Sequence, residues 1–304
     1  MVSGKRRLEG RVALVTGSGR GFGRSVAVAY AMEGARVASV ARTRLELDYT
    51  ANLIHARGGE VLTIPADLSD VDEIKRLRDE ALSNYGRLDV LFNNAATSPW
   101  KTVDEMTVED WDRTMAVNLR APLLLAQAFL GTMRDQGGGS IVNVTSASAA
   151  KGFVAELAYC PSKYGLEGLT QCLALELRPS NIAVNTLNVA APPGKTLKPT
   201  ELTEAEAREM PAEVRQRYAG VDSMVEAFKE AWVFVALQDG SGVTGQRLGT
   251  RTLAEELERE GWDAVTERYR CRLTRAVYEP YDFPERVRYQ TPDGGWKELR
   301  FEQC

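Results

Sequence analysis

The sequence predicts an α/β protein with a doubly wound parallel β-sheet and helices on both faces. Three observations predict it. Short apolar, β-branched runs alternate with helical stretches at βαβ spacing. The first such run ends in a glycine cluster that opens a helix. The chain has 304 residues, enough for one large α/β domain or two small ones. Right-handed crossovers then leave few arrangements, of which the doubly wound sheet is the commonest.

The elements follow in order. Arg11–Thr16 (RVALVT) reads as a buried strand, Gly17–Gly23 as a turn, and Arg24–Glu33 as a helix stopped by Gly34. Arg36–Ala41 is a second strand, and Arg44–Arg57 a helix ended by Gly58 and Gly59. Glu60–Ile64, Asp70–Tyr85 and Leu88–Phe92 read as strand, helix and strand. One long helix is expected over Val108–Met133, closed by the glycines at 137–139. Ser140–Val144 is a fifth strand, Tyr159–Leu177 a helix, Ile182–Leu187 a sixth strand and Val243–Leu248 the last.

Residues 190–219, rich in Pro, Thr, Glu and Lys, interrupt the alternation after strand six. Ligands bind beyond the carboxyl ends of strands in such sheets, so a loop that covers the substrate is expected there. Residues 1–250 make the sheet domain, and 251–304 form a C-terminal extension. In the extension Thr252-Leu-Ala-Glu255 resembles a capping box, Gly261 is placed to end its helix, and Pro-Asp-Gly-Gly within Val287–Phe301 suggests a hairpin.

Bulk properties exclude several classes. A formal net charge of −4 gives no electrostatic case for nucleic acid or an anionic membrane. No stretch approaches the ~18 apolar residues of a membrane span, and no apolar segment follows Lys5-Arg6-Arg7 to make a signal peptide. Cys160, Cys172, Cys271 and Cys304 form no CxxC pair and fit no zinc spacing, so no metal is expected. Free thiols in a reducing, cytoplasmic setting are the default. The sole histidine, His55, sits in what reads as a surface helix, which argues against a Ser-His-Asp triad.

The turn Gly17, Ser18, Gly19, Arg20, Gly21, Phe22, Gly23 lies between the first strand and its helix. Glycines there let the backbone approach a pyrophosphate, and the helix N-terminus offers free N–H groups to that anion. An acidic residue at the end of strand two would bind a ribose 2′-OH; here Ala41 and Arg42 stand in that place, with Thr43 next. Arg42, with Arg20 nearby, suits a 2′-phosphate, so NADP(H) is expected, with NAD possible. Asp67 would accept from the adenine amino group; a helix N-cap role for Asp67 or Ser69 competes with that reading. Asn93, Asn94 and Ala95 end strand four, with side chains small enough for a close-lying cofactor and amides able to tie strands together.

Tyr159 and Lys163 are four apart at the start of a helix and share one face. A free tyrosine has a pKa near ~10. A nearby ammonium favours the phenolate and brings that value toward the working pH, so Tyr159 is the expected proton-transfer residue. Ser146, just past strand five, would polarise a substrate carbonyl. Asn118 is a poor helix former inside a helix, which suggests a held water or a backbone contact.

These pieces together resemble the short-chain dehydrogenase/reductase family. They are Thr16–Gly23, Asp67-Leu68, Asn93-Asn94-Ala95-Ala96, Asn118, Ser146 and Tyr159-Cys-Pro-Ser-Lys163, in the family's order and at its intervals over Leu8–Leu248. The resemblance implies a Rossmann fold and hydride transfer between a nicotinamide and a carbonyl or secondary alcohol. It implies that Ser146 positions the substrate and that Tyr159 is the acid/base. Lys163 would lower the Tyr159 pKa and hold the nicotinamide ribose, and Asn118 would hold a water of the proton relay. It also implies a homo-oligomer, tetramer or dimer. The sequence departs from the family where Ala96 replaces a glycine, and where Val189 and Ala190 replace Pro-Gly after strand six. Thr196 is the candidate for the carboxamide contact. A non-catalytic NADP(H)-binding sensor or scaffold is the alternative from another class, supported only by the Val189-Ala190 change. A lyase or isomerase that uses the bound cofactor differently is a third.

Overall fold

A computed structural model describes residues 6–197, 209–270, 272–274, 284–291 and 295–300. Seven parallel strands form one sheet: β1 (Val12–Thr16), β2 (Arg36–Ala41), β3 (Glu60–Pro65), β4 (Val90–Asn93), β5 (Gly139–Thr145), β6 (Ile182–Asn188) and β7 (Arg247–Gly249). Their order is β3-β2-β1-β4-β5-β6-β7. The winding reverses between β1 and β4, which pair in parallel at Ala13↔Val90. That reversal opens a crevice at the carboxyl ends of the two strands, and the glycine turn emerges into it. Strands β1 and β5 are buried on both faces along their whole length, whereas the edge strand β3 is only partly covered.

Helices cover both faces. On one face lie α1 (Gly21–Met32) and a helix over Val221–Ala236, here α8. On the other lie α3 (Val71–Tyr85), α5 (Ala121–Asp135) and α6 (Tyr159–Leu177). Helix α2 (Arg44–His55) joins β2 to β3, and α4 (Val108–Met115) precedes α5. A short α7 (Ala212–Arg215) lies in the 190–219 insertion, whose residues 198–208 fall outside the described residues.

Several expectations are corrected. The helix expected over Val108–Met133 is broken by a π-helical turn, Ala116–Arg120, between α4 and α5. Such single turns recur at functional sites, and this one carries Asn118. The N-cap of α3 is Asp70, whose side chain accepts from the Asp72 N–H at 2.8 Å, so neither Asp67 nor Ser69 caps it. The last strand is shorter than Val243–Leu248, because Gly245 turns at φ 75° just before it. Helix α8 was not anticipated; its apolar residues run nearly all round it and mask the helical period.

The extension begins inside the core. Helix α9 (Thr250–Glu260) starts two residues before the expected capping box, and Thr250 donates to the Asn188 carbonyl at 2.5 Å. Gly261 separates it from α10 (Trp262–Tyr269). Leu253, Leu257 and Val265 are buried in the same cluster as α1 and α8. Beyond, β8 (Arg286–Gln290) and β9 (Trp296–Arg300) pair antiparallel, while the Pro-Asp-Gly part of the expected turn lies outside the described residues.

Among the described residues, Trp232 of α8 is the largest fully buried side chain. Its ring meets Phe22 edge-on at 5.3 Å, and its carbonyl accepts from the Tyr30 hydroxyl at 3.0 Å. Trp232→Ala is expected to cost about 3–5 kcal/mol of stability, measured by urea unfolding; a loss below about 1 kcal/mol would contradict a close-packed interior at this position.

Candidate active site

The carboxyl ends of the central strands open on one cavity of about 230 Å³. The glycine turn forms one wall. Gly17 takes φ 64°, and a Cβ there would stand 2.8 Å from Ala95 Cα. A Cβ at Gly23 would stand 2.5 Å from the Gly17 carbonyl oxygen, so both positions demand glycine. Asn94 fixes the turn from β4: its Nδ2 donates to the Thr16 and Gly17 carbonyls at 3.0 and 3.2 Å. The Asn94 and Ala95 N–H groups both donate to Thr16 Oγ1 at 3.0 Å. From behind, the buried Arg24 guanidinium donates to the Gly19 carbonyl and to Thr50 Oγ1.

Gly19, Arg20, Gly21 and Phe22 reach the cavity, while Ser18 and Gly23 pack behind it. Ser18 Oγ shares a 2.7 Å hydrogen bond with Ser39 Oγ. Helices α3 and α4 are capped by Asp70 and Thr107, but α1 has no side-chain cap. Its first-turn N–H groups and positive dipole end therefore suit an anion lying on the wall. The close approach left by Gly17 and Gly23 fits a pyrophosphate.

Farther along the same cavity stand Arg42, Thr43, Glu46, Asp67 and Leu68. Arg42 is exposed. Arg20 is engaged: its Nη1 lies 3.1 Å from Glu46 Oε1. Glu46, on the first turn of α2, was not singled out from sequence, where it reads as an ordinary helix-start acid. Burial pushes the Asp67 carboxyl up, but hydrogen bonds from Ser69 and Arg113 outweigh it and hold the group at about 2. Asp67 is thus an ionised acceptor, bonded to Ser69 N and Oγ at 2.9 and 2.7 Å and to Arg113 at 2.9 Å.

Tyr159 and Lys163, from the first two turns of α6, lie on the opposite wall. Lys163 is 2% exposed, and its Nζ donates to the Val144 carbonyl at 2.8 Å. Burial lowers its ammonium to about 8, with Glu167 opposing. The expectation of an acidified Tyr159 is corrected. Burial pushes the phenol up to about 12, against a hydrogen bond with Ser146, and Glu156 and Cys160 push it the same way as burial. The Lys163 Nζ lies over the Tyr159 ring, 5.5 Å from its centroid, and its bond goes to the β5 backbone. Burial, opposed by the Ser146 hydrogen bond, therefore leaves Tyr159 here in its proton-donating form.

Ser146 lies at the mouth of β5, its hydroxyl between Tyr159 and Ser148. Asn118 turns its side chain to protein groups: Thr97 N–H donates to Oδ1 at 2.9 Å, and Nδ2 donates to the Thr97 carbonyl and Ser162 Oγ at 3.0 Å. Ser162 in turn donates to the Tyr159 carbonyl at 2.7 Å, so Asn118 braces the turn that carries Tyr159. A backbone contact is one of the two roles that the sequence suggests for Asn118. Val189 lines the cavity, as do Leu197 and Met224. Thr196 is exposed, off the cavity wall, and its hydroxyl donates to the Arg217 carbonyl at 3.2 Å. Among the described residues no acid, thiol or imidazole cluster could hold a metal, and no helix is long and apolar enough to cross a membrane.

A crevice lined by a glycine turn and by a tyrosine–lysine pair has counterparts among known proteins. The profile of the short chain dehydrogenase family matches residues 11–211. An uncharacterized oxidoreductase of Thermotoga maritima is 35% identical over 243 residues, 78% of this chain and 94% of that protein. The D-threitol dehydrogenase of Mycolicibacterium smegmatis is 35% identical over 182 residues, covering 60% and 70%. The crystal structure of a metagenomic short-chain oxidoreductase in complex with NADP superposes with a TM-score of 0.65 at 30% identity, covering 80% of this chain and 97% of that one. The chain belongs to the short-chain dehydrogenase family of oxidoreductases.

Proposed function

We propose that this chain transfers hydride between NADP(H) and a small carbonyl or secondary-alcohol substrate, with Tyr159 as general acid/base. The observation that carries the reading is that Tyr159 and Lys163 share one cavity with the glycine turn. The NADP complex of the structural relative supports the choice of dinucleotide, and the D-threitol dehydrogenase supports an alcohol as substrate.

Gly17, Gly19, Gly21, Phe22 and the α1 N-terminus would cradle the pyrophosphate, and Asp67 would accept from the adenine amine. Arg42 would pair with the 2′-phosphate. Arg20 joins it only by leaving Glu46. Val189 would pack against the nicotinamide end. The nicotinamide, when bound, supplies the hydride in reduction and accepts it in oxidation. In reduction, Ser146 donates a hydrogen bond to the carbonyl oxygen and polarises it. Tyr159 then gives its proton to the alkoxide oxygen as that charge develops. The phenolate left behind is stabilised by the Lys163 ammonium and the Ser146 hydroxyl. Asn118 positions Tyr159 through Ser162. Leu197 and Ala219 of the insertion line the cavity and would cover the substrate, and exposed Val108, Trp111 and Leu175 on α4 and α6 support assembly into a homo-oligomer.

The direct experiment is an NADPH-oxidation screen against ketones, aldehydes and quinones, repeated with NADH. Cofactor binding with no turnover across the panel would favour a sensor or scaffold.

Tyr159→Phe should lower turnover by at least about 100-fold while leaving NADPH affinity nearly unchanged in a fluorescence titration. Wild-type rates in that variant would remove Tyr159 from the chemistry. Arg42→Ala should weaken NADPH by about tenfold and leave NADH nearly untouched; equal loss of both would refute the 2′-phosphate assignment. The pH dependence follows from Lys163. Its ammonium is present below about 8 and lost above it, whereas Tyr159, at about 12, keeps its proton throughout that range. Carbonyl reduction should therefore fall as pH rises through about 8. A profile flat through that range would show that the Lys163 charge is not needed.

A further inference from the structure

The loop that carries Ser146 is gripped from outside the residues assigned so far. Arg247, the first residue of β7, donates from Nη2 to the Ser146 carbonyl at 3.0 Å. Its Nε lies 3.5 Å from Glu167 Oε1. Glu167 sits one helical turn past Lys163 on α6 and accepts from Thr145 Oγ1 and, at 2.9 Å, from Thr186 Oγ1. One carboxylate thereby ties the ends of β5 and β6, helix α6 and, through the guanidinium, β7. Both side chains are mostly covered, at 27% and 17% exposure, so water screens the pair less than a surface ion pair.

The extension closes the outside of this arrangement. The Arg247 N–H donates to Thr274 Oγ1 at 2.8 Å, and the Thr274 N–H donates to the Gly245 carbonyl at 3.0 Å. Gln246 Nε2 donates to the Arg272 carbonyl, and Gln171 Nε2 of α6 donates to the Thr274 carbonyl at 2.9 Å. Residues 272–274 therefore cover the free edge of a three-residue strand that would otherwise present unpaired backbone groups.

We propose that Arg247, held by Glu167 and by Thr274 of the extension, is a positioning residue that fixes the Ser146 backbone so that its hydroxyl meets both Tyr159 and the substrate oxygen. This rests on the reading of Ser146 and Tyr159 given above. The physical basis is geometric: a hydroxyl that shifts by an ångström loses its alignment with a reacting carbonyl, at a cost of about 100-fold in rate. The guanidinium bonds the carbonyl of the same residue, and Arg247 is not among the residues that line the cavity with the glycine turn, so cofactor binding is not expected to depend on it.

The test compares Arg247→Met, Arg247→Lys and Thr274→Val with the wild type, using the carbonyl that the wild type turns over. Arg247→Met should lower kcat by about 10- to 100-fold with the NADPH dissociation constant unchanged in a fluorescence titration. Arg247→Lys reaches Glu167 or the Ser146 carbonyl but not both, and should restore part of the loss. Thr274→Val removes the bond to the Arg247 N–H at nearly constant volume, and should lower kcat in the same sense by less. It also carries the test if Arg247→Met does not fold. Wild-type kcat in a folded Arg247→Met, or in Thr274→Val where Arg247→Met does not fold, would overturn the proposal. So would a loss of NADPH affinity in parallel with kcat, which marks a general structural role. A wild type that turns over no carbonyl with either cofactor fails the functional reading instead, so the two failures are distinguishable.

Discussion

One buried ammonium organises the α6 wall of the cavity. Lys163 is among the largest fully enclosed side chains, and a charge so placed costs several kcal/mol unless it is bonded. Its bond to the Val144 carbonyl locks the first turns of α6 against the end of β5. That lock sets where Tyr159 stands, and Ser146 is two residues beyond Val144 on the same chain. Burial brings the ammonium down to about 8, the range in which proteins use titrating groups. The same burial keeps Tyr159 protonated. The two groups thus share one cause and move in opposite directions: each is pushed toward its neutral form. A protonated phenol beside an ammonium is the arrangement that carbonyl reduction requires at its start.

The opposite wall is built on backbone. The turn between β1 and α1 holds its shape through Asn94, Thr16 and the buried Arg24, so little ordering remains to be supplied by a ligand. The reversal of winding between β1 and β4 brings this wall opposite α6. The same cavity carries the Arg20–Glu46 pair and the exposed Arg42. An anion entering there would meet one exposed arginine and one held by a carboxylate, so engaging both would include the work of separating that pair.

The sheet was legible because each strand is a short β-branched run and each crossover helix has its own stop. The glycine turn and the Tyr159–Lys163 spacing were legible because they are local. What sequence did not give was non-local. The π turn at Ala116–Arg120 leaves no local sign beyond an asparagine in a helix. Helix α8 hid its period because it is buried nearly all round. Glu46 and Arg20 are 26 positions apart, and Arg247 and Ser146 are 101 apart, so only the fold brings each pair together. Glu167 did carry a signal: it continues the Tyr159, Lys163 stripe at a spacing of four. The protonation of Tyr159 is not legible in sequence for a different reason. Spacing shows that an ammonium is near, but not how deeply both groups are buried, and here burial is the larger effect.

The most direct measurement is a crystal structure of the chain with NADPH and an unreactive carbonyl analogue. The account predicts the Tyr159 hydroxyl about 2.6–3.2 Å from the analogue's oxygen, with the nicotinamide between the glycine turn and Lys163. A dinucleotide seated away from that turn, or a carbonyl oxygen out of reach of Tyr159, would contradict it.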